Sequence, residues 1–234
     1  MHPFTRFEDL PNDLFLEIFE YLHALDLFTA FAFLNQRIST LFYSTSLHVV
    51  ICKLHSYQQM KFLSSHLIDH AHQVISLSLE DELRDYSSVI SYFFYQHTYT
   101  NLRSCQFLAV QQTSNFNHVI DKLQQLTKLV SFRIIQSQKC SLSSLTKDKL
   151  VEVLFTHRSS TLRSISLSFY HDYPNFVARL ALNWTVTTLH LVFQDSNYDL
   201  SISKFLSILR HYRALRVLFL SLYTNLDDHS QQLG

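Results

Sequence analysis

The chain has 234 residues, 47% of them apolar and 16% charged, and its 19 basic and 19 acidic side chains balance to a formal net charge of zero. That size and composition support a real core and not a disordered chain, and no global field draws the protein to nucleic acid or to an anionic membrane. The one glycine, Gly234, is the last residue, which excludes phosphate-cradling loops, dinucleotide fingerprints and the nucleophile elbow, all of which need glycine where the backbone turns sharply or approaches an anion.

The lack of glycine also disfavours tight hairpins, so an antiparallel hairpin architecture is not expected. Cys52, Cys105 and Cys140 are far apart and form no CxxC pair. They read as reduced thiols of a cytoplasmic or nuclear protein, not as a disulfide framework. Residues 1–9 lack the basic and apolar regions of a signal peptide. The apolar run Leu14 to Leu34 is interrupted by Glu17, Glu20, His23 and Asp26, so it is not expected to span a membrane.

In chain order, Leu10-Pro11 sets an extended start, because proline restricts itself and the residue before it. Asn12 and Asp13 offer a cap and a negative charge to a first helix, on which Leu14, Ile18 and Leu22 form one face beside Phe15 and Phe19. Asp26 is the expected cap of a second helix with Leu27, Ala30, Phe31 and Leu34. A third helical pattern carries Ile38, Leu41 and Phe42.

The ordered set Leu10-Pro11, Leu14, Ile18, Leu22, Asp26-Leu27, Leu34, Arg37 and Leu41 resembles an F-box, the helical module that docks on the Skp adaptor of cullin-based ubiquitin ligases. The departures are Ile38, where the family often has Trp, and Asn35, where Cys or Ser is common. The resemblance implies a three-helix module over residues 7–48 and adaptor contacts from Leu10, Pro11, Leu14, Ile18, Leu22, Leu27, Leu34 and Ile38. A plain soluble helical hairpin would show the same periodicity.

Beyond residue 48 the chain is repetitive. The template Leu-x-x-Leu-x-Leu, with any apolar residue allowed, starts at Val74, Leu102, Leu129, Leu162, Val186 and Leu215, at intervals of 28, 27, 33, 24 and 29 residues. Helical patterns lie between: Val89 to Phe94, Val119 to Leu126, Leu150 to Phe155 and Phe205 to Leu209. Leu47 to Ile51 and Met60 to Ile68 supply an opening strand and helix. The pattern resembles the longer leucine-rich repeats, which implies an irregular strand–helix solenoid with a parallel sheet over residues 49–234, hence an α/β chain. A compact α/β fold with a parallel sheet is the structural alternative. The Asn or Cys that the resemblance implies three residues past the last strand leucine of each match is replaced by Glu82, Val110, Ser137, Tyr170, Gln194 and Tyr223, so the usual buried Asn ladder between units should be missing. With no polar closing helix before Gly234, the array reads as truncated.

Alternate strand residues should face away from the helices. The columns Ser76, Ser104, Ser131, Ser164, Thr188, Val217 and Ser78, Gln106, Arg133, Ser166, His190, Phe219 then form a hydroxyl-rich face, with Arg103, Arg163 and Arg216 beside it. Arg103, Arg133, Arg163 and Arg216 suit an acidic or phosphorylated partner. The competing reading is that polar residues merely keep an exposed sheet soluble.

His66, Asp69, His70 and His72 form the one histidine cluster, but no zinc motif accompanies them, and no metal or cofactor is expected. No nucleophile-and-base arrangement is recognisable, and the 20 Phe and 12 Tyr fall mainly on apolar faces. Taken with the two resemblances, the expected function is that of a non-enzymatic substrate receptor of an Skp–cullin–F-box ubiquitin ligase. A ligase-independent interaction scaffold is the alternative.

Overall fold

The computed structural model describes residues 7–81, 88–137, 142–157, 159–170, 185–194 and 214–222. Within these lie seven helices, α1 (Asn12–Glu20), α2 (Ala24–Phe31), α3 (Gln36–Phe42), α4 (Tyr57–His70), α5 (Val89–Gln96), α6 (Phe116–Leu123) and α7 (Ser144–Phe155). Seven strands accompany them: β1 (Leu47–Ile51), β2 (Val74–Glu80), β3 (Ser104–Val110), β4 (Ser131–Gln136), β5 (Ser164–Tyr170), β6 (Thr188–Gln194) and β7 (Val217–Leu222). The helical pattern Phe205 to Leu209, the positions Glu82 and Tyr223, and Cys140 fall outside the described residues.

All seven strands are parallel and lie in chain order, β1 to β7. A parallel crossover is right-handed almost without exception. Strands that always advance in one direction therefore place every crossover helix on the same face. An open doubly wound sheet would instead reverse its order at a switch point and carry helices on both faces. This sheet has no such reversal, and α4, α5, α6 and α7 pack in succession against one another.

The template positions fall into register across the sheet. One buried row is Val49, Leu77, Cys105, Phe132, Ile165 and Leu189, and the next is Ile51, Leu79, Phe107, Ile134, Leu167 and Leu191. These rows form the floor on which the helices place Leu63, Leu67, Ile90, Phe93, Val119, Ile120, Leu150 and Leu154, all at 3% exposure or less. Residues between them in sequence turn to the other face, as the two-residue period of a strand requires.

Without an available glycine, one backbone irregularity falls to alanine. Phe107 pairs with Ile134 but Val110 with Gln136, so β3 carries one extra residue, and Ala109 sits there at φ 51°. This is a β-bulge in the left-handed region. Beside it, the Leu108 carbonyl accepts from Asp81 N at 2.9 Å.

The expected ladder between units is replaced in part. Asp81, one position before Glu82, is buried and accepts from Ser88 Oγ at 3.3 Å, Ile90 N at 3.3 Å and Gln111 N at 3.4 Å. One carboxylate thus ties the start of α5 to the end of β3. At the opposite edge, hydroxyls serve: Ser159 Oγ and Thr161 Oγ1 donate to Leu129 O, and Thr185 Oγ1 donates to Leu162 O. These contacts, from other residues and positions, bond backbone groups between units.

The three N-terminal helices close onto the first unit without a linker. The aromatic rings of Phe15, Phe19, Phe28, Phe31 and Phe42 pack with centroids 5.2–5.9 Å apart, and the hydrophobic core runs unbroken from Phe15 to Leu191. The caps differ from the sequence expectation. The cap position of α1 is Pro11, with Asn12 already helical, and α2 begins at Ala24 behind His23, which leaves Asp26 in its first turn. Asn35 caps α3 by accepting from Ile38 N at 2.9 Å, a bond that a cysteine would supply only weakly.

Candidate functional site

Two surfaces hold the residues singled out by the sequence. On the N-terminal helices, Pro11, Leu14 and Leu34 are exposed, and Leu10, Ile18 and Leu22 are half-buried. Leu14 and Leu34 keep 44% and 43% of their surface in water, a large exposure for leucine, and Phe7, Tyr21 and Phe33 add further exposed apolar area. Leu27 and Ile38 are at 1% and 0%. These two hold α2 and α3 in the core and present nothing to a partner, which corrects their assignment to a docking surface.

Arg37 was a matched position in the sequence whose task becomes visible only in three dimensions. From α3 its guanidinium donates to Asn12 Oδ1 at 2.7 Å, Glu8 O at 2.9 Å and Leu10 O at 2.5 Å. It also lies 5.7 Å from the centre of the Phe15 ring. A planar fork of donors can reach three acceptors at once, as a lysine cannot. The fork fixes the single 3-10 turn Phe7–Asp9 and the Leu10-Pro11 pair against α1.

The histidine cluster has a structural task. His66 packs on Phe28 at 4.9 Å and Phe62 at 4.4 Å, while His70 packs on Phe28 at 5.3 Å and Tyr43 at 5.2 Å. Their Nδ1 atoms meet Phe62 O and Gln73 Oε1. Gln73 in turn donates to Phe42 O and Thr45 O, satisfying carbonyls at the end of α3. Together these contacts join the helical module to α4. Among the described residues no three His, Cys, Asp or Glu side chains gather as metal donors.

The second surface is the sheet face turned away from the helices. Its rows are in register: Ser76, Ser104, Ser131, Ser164, Thr188, Val217, and then Ser78, Gln106, Arg133, Ser166, His190, Phe219. All are half-buried or exposed. Ser131 Oγ donates to Ser104 Oγ at 3.0 Å, and His190 stacks edge-on with Phe219 at 5.6 Å.

Arg103, Arg163 and Arg216 each stand one residue before β3, β5 and β7, at the edge of this face. Their amides donate to Ile75 O, Val130 O and Thr187 O on the preceding units. Skipping one strand each time sets them about 10 Å apart, at roughly 4.8 Å per strand. Arg133 lies on β4 between the first two. All four are exposed; Arg163 uses one nitrogen to donate to Thr185 O at 3.1 Å. The acid at the border of this face, Glu80, is half-buried and accepts from Lys53 N at 2.9 Å.

Cys105 is buried in the strand floor, and burial pushes its thiol well above the ordinary value, which leaves it inert. Cys52 is half-buried, with Sγ 3.4 Å from His55 Nδ1. No helix among the described residues is long and apolar enough to cross a membrane. Compared with protein-family models and with curated proteins, the chain matches neither a family model nor a curated protein.

Proposed function

We propose that the chain is a substrate-receptor subunit of an Skp–cullin–F-box ubiquitin ligase, working in the cytoplasm or nucleus. The observation that carries this reading is the apolar surface of the N-terminal helices. Pro11, Leu14 and Leu34 stand in water while Leu27, Ile38 and five phenylalanines fill the core beneath them. A module with a complete core has no need of those exposed leucines for its own stability, which favours a docking role. In this reading the repeat array is of leucine-rich type, and its open face holds the protein to be modified.

The receptor performs no chemistry. It raises the effective concentration of a target near a conjugating enzyme held elsewhere in the assembly. The four exposed arginines favour a target carrying carboxylates or phosphates, which a guanidinium can hold through two parallel bonds. A scaffold that uses the same face without any ligase remains the rival reading.

The two are separated by co-purification of the chain with the Skp adaptor. The expected result is a stable complex that Leu14→Asp and Leu34→Asp abolish while the melting temperature is kept. A folded chain that fails to bind the adaptor would overturn the ligase reading and leave the scaffold. For the target surface, Arg103→Glu with Arg163→Glu should abolish capture of an acidic or phosphorylated peptide. Unchanged capture would remove that part.

A further inference from the structure

The rim at which the strands begin carries a line of backbone hydrogen bonds that runs across the sheet. Arg103 N donates to Ile75 O, Val130 N to Arg103 O, Arg163 N to Val130 O, Thr187 N to Arg163 O and Arg216 N to Thr187 O, all at 2.7–2.9 Å. The row so tied reads Ile75, Arg103, Val130, Arg163, Thr187, Arg216. A guanidinium stands on every second unit, with a shorter uncharged side chain between. The arginines leave the sheet from equivalent places two strands apart, so their mean spacing is about 10 Å.

All three are exposed. Among the described residues none of them pairs with a carboxylate, and Arg163 gives one bond to Thr185 O. Lys128 adds a further cation to this rim, where it donates to Asn101 Oδ1 at 2.5 Å. Glu80 and Asp81 sit at the opposite rim, where β2 ends. The chain as a whole is neutral, so the positive charge here is a local feature that complements an anionic partner.

The spacing narrows the form of that partner. A chain that crosses the strands advances about 3.1 Å per residue as polyproline II and about 3.3 Å as a strand, so three residues cover one step of the row in either form. The two differ in where the side chains point. In a strand, residues i and i+3 face opposite sides. Polyproline II has three residues per turn, so i, i+3 and i+6 share one face. An α-helix matches the row only with acids seven residues apart, at about 1.5 Å per residue, and its carbonyls are already bonded internally. Those of polyproline II are free, and each guanidinium has five N–H donors. Two can hold a carboxylate while another reaches the partner's backbone.

We propose that this rim binds a protein segment in the polyproline II form, with an acidic side chain at every third residue, laid across β3 to β7. Three acids then meet Arg103, Arg163 and Arg216 at once. The inference rests on the reading of the arginines as a target surface and adds the spacing and conformation of the target. It is indifferent to whether the chain serves a ligase.

The test uses two end-blocked peptides of one composition, Glu-Pro-Pro-Glu-Pro-Pro-Glu and Glu-Pro-Glu-Pro-Glu-Pro-Pro. Both hold the polyproline II form and the same charge, but only the first puts its acids on one face. Each is titrated at low ionic strength into the folded chain labelled with nitrogen-15. The first should shift the Nε–H resonances of Arg103, Arg163 and Arg216 and bind roughly fivefold or more tightly than the second. Arg103→Gln with Arg216→Gln leaves Arg163 and its bond to Thr185 in place. That variant should keep its melting temperature and bind the two peptides equally. Arg133→Gln, off the row, should leave their ratio unchanged. Equal binding of the two by the unaltered chain would overturn the proposal and leave an acidic target in place, whereas binding of neither would remove both. Tighter binding of a helical peptide with three glutamates seven apart would refute the extended partner.

Discussion

Replacing Arg37 with methionine removes three hydrogen bonds, to Asn12 Oδ1, Glu8 O and Leu10 O, and keeps most of the side chain's apolar length over Phe15. The guanidinium is exposed, so each bond is worth the low end of the usual range, about 0.5–1 kcal/mol. Three of them give about 1.5–3 kcal/mol, or a change of roughly 10-fold to 160-fold in a local opening equilibrium. The fork holds the turn Phe7–Asp9 with Leu10-Pro11, together with the packing of Phe7 on Phe15 and Phe31. The amide of Leu10, bonded to Phe7 O, and that of Phe15, bonded to Pro11 O, report its opening. Hydrogen exchange should therefore speed up at least tenfold over residues 7–15 in Arg37→Met, while the strands keep their protection. Arg37→Lys should recover only part, since a point charge cannot span three acceptors. Arg163→Met, on the sheet, should leave residues 7–15 untouched. Unchanged exchange over residues 7–15 in Arg37→Met would refute the clamp.

Three further outcomes are expected. Phe107 is fully buried, with Phe94 and Phe132 edge-on at 5.3 and 5.6 Å; Phe107→Ala should cost about 4 kcal/mol in urea unfolding, whereas Phe219→Ala, at an exposed ring, should cost under about 1 kcal/mol. Ala109→Gly should stabilise by about 0.5 kcal/mol, the left-handed penalty of about 1–2 kcal/mol offset in part by the chain entropy of glycine, and calorimetry checks it. Burial raises Asp81 above its ordinary value of 3.8, against the pull of its hydrogen bonds. Its folded form favours the proton, so its contribution is full below about pH 3.8 and is lost as pH rises through the folded value. Relative to Asp81→Asn, the urea midpoint of the wild type should fall from pH 4 towards pH 7, and a constant gap would contradict this.

Sheet order and strand register were legible because burial imposes them. Each Leu-x-x-Leu-x-Leu match places two apolar residues two apart, and a slip by one would turn both into water. Leu79 and Phe107 could pair in only one way. The helix caps were less legible: Asn12, Asp13 and Asp26 are all good caps by residue type, yet Pro11 and His23 hold the cap positions of α1 and α2. The residues of the proposed docking set were legible as apolar, but periodicity does not tell which side of an amphipathic helix meets solvent when a third helix covers part of it. That is why Leu27 and Ile38 proved to be core. The role of Arg37 and the tie of Asp81 to β3 rest on partners 25 to 30 residues away, and no local pattern marks such contacts.

Strands that follow chain order also set how force and damage spread. Each unit touches little beyond its two neighbours, so stability is close to a sum of local terms and interfaces. Pulled from its ends, such an array should give way in successive steps of one strand and one helix, not in a single rupture. A lesion near β6 would loosen β5 and β7 yet leave the phenylalanine core of α1 to α3 in place. The helical module and the far end of the sheet can thus fail separately, one staying folded while the other has opened.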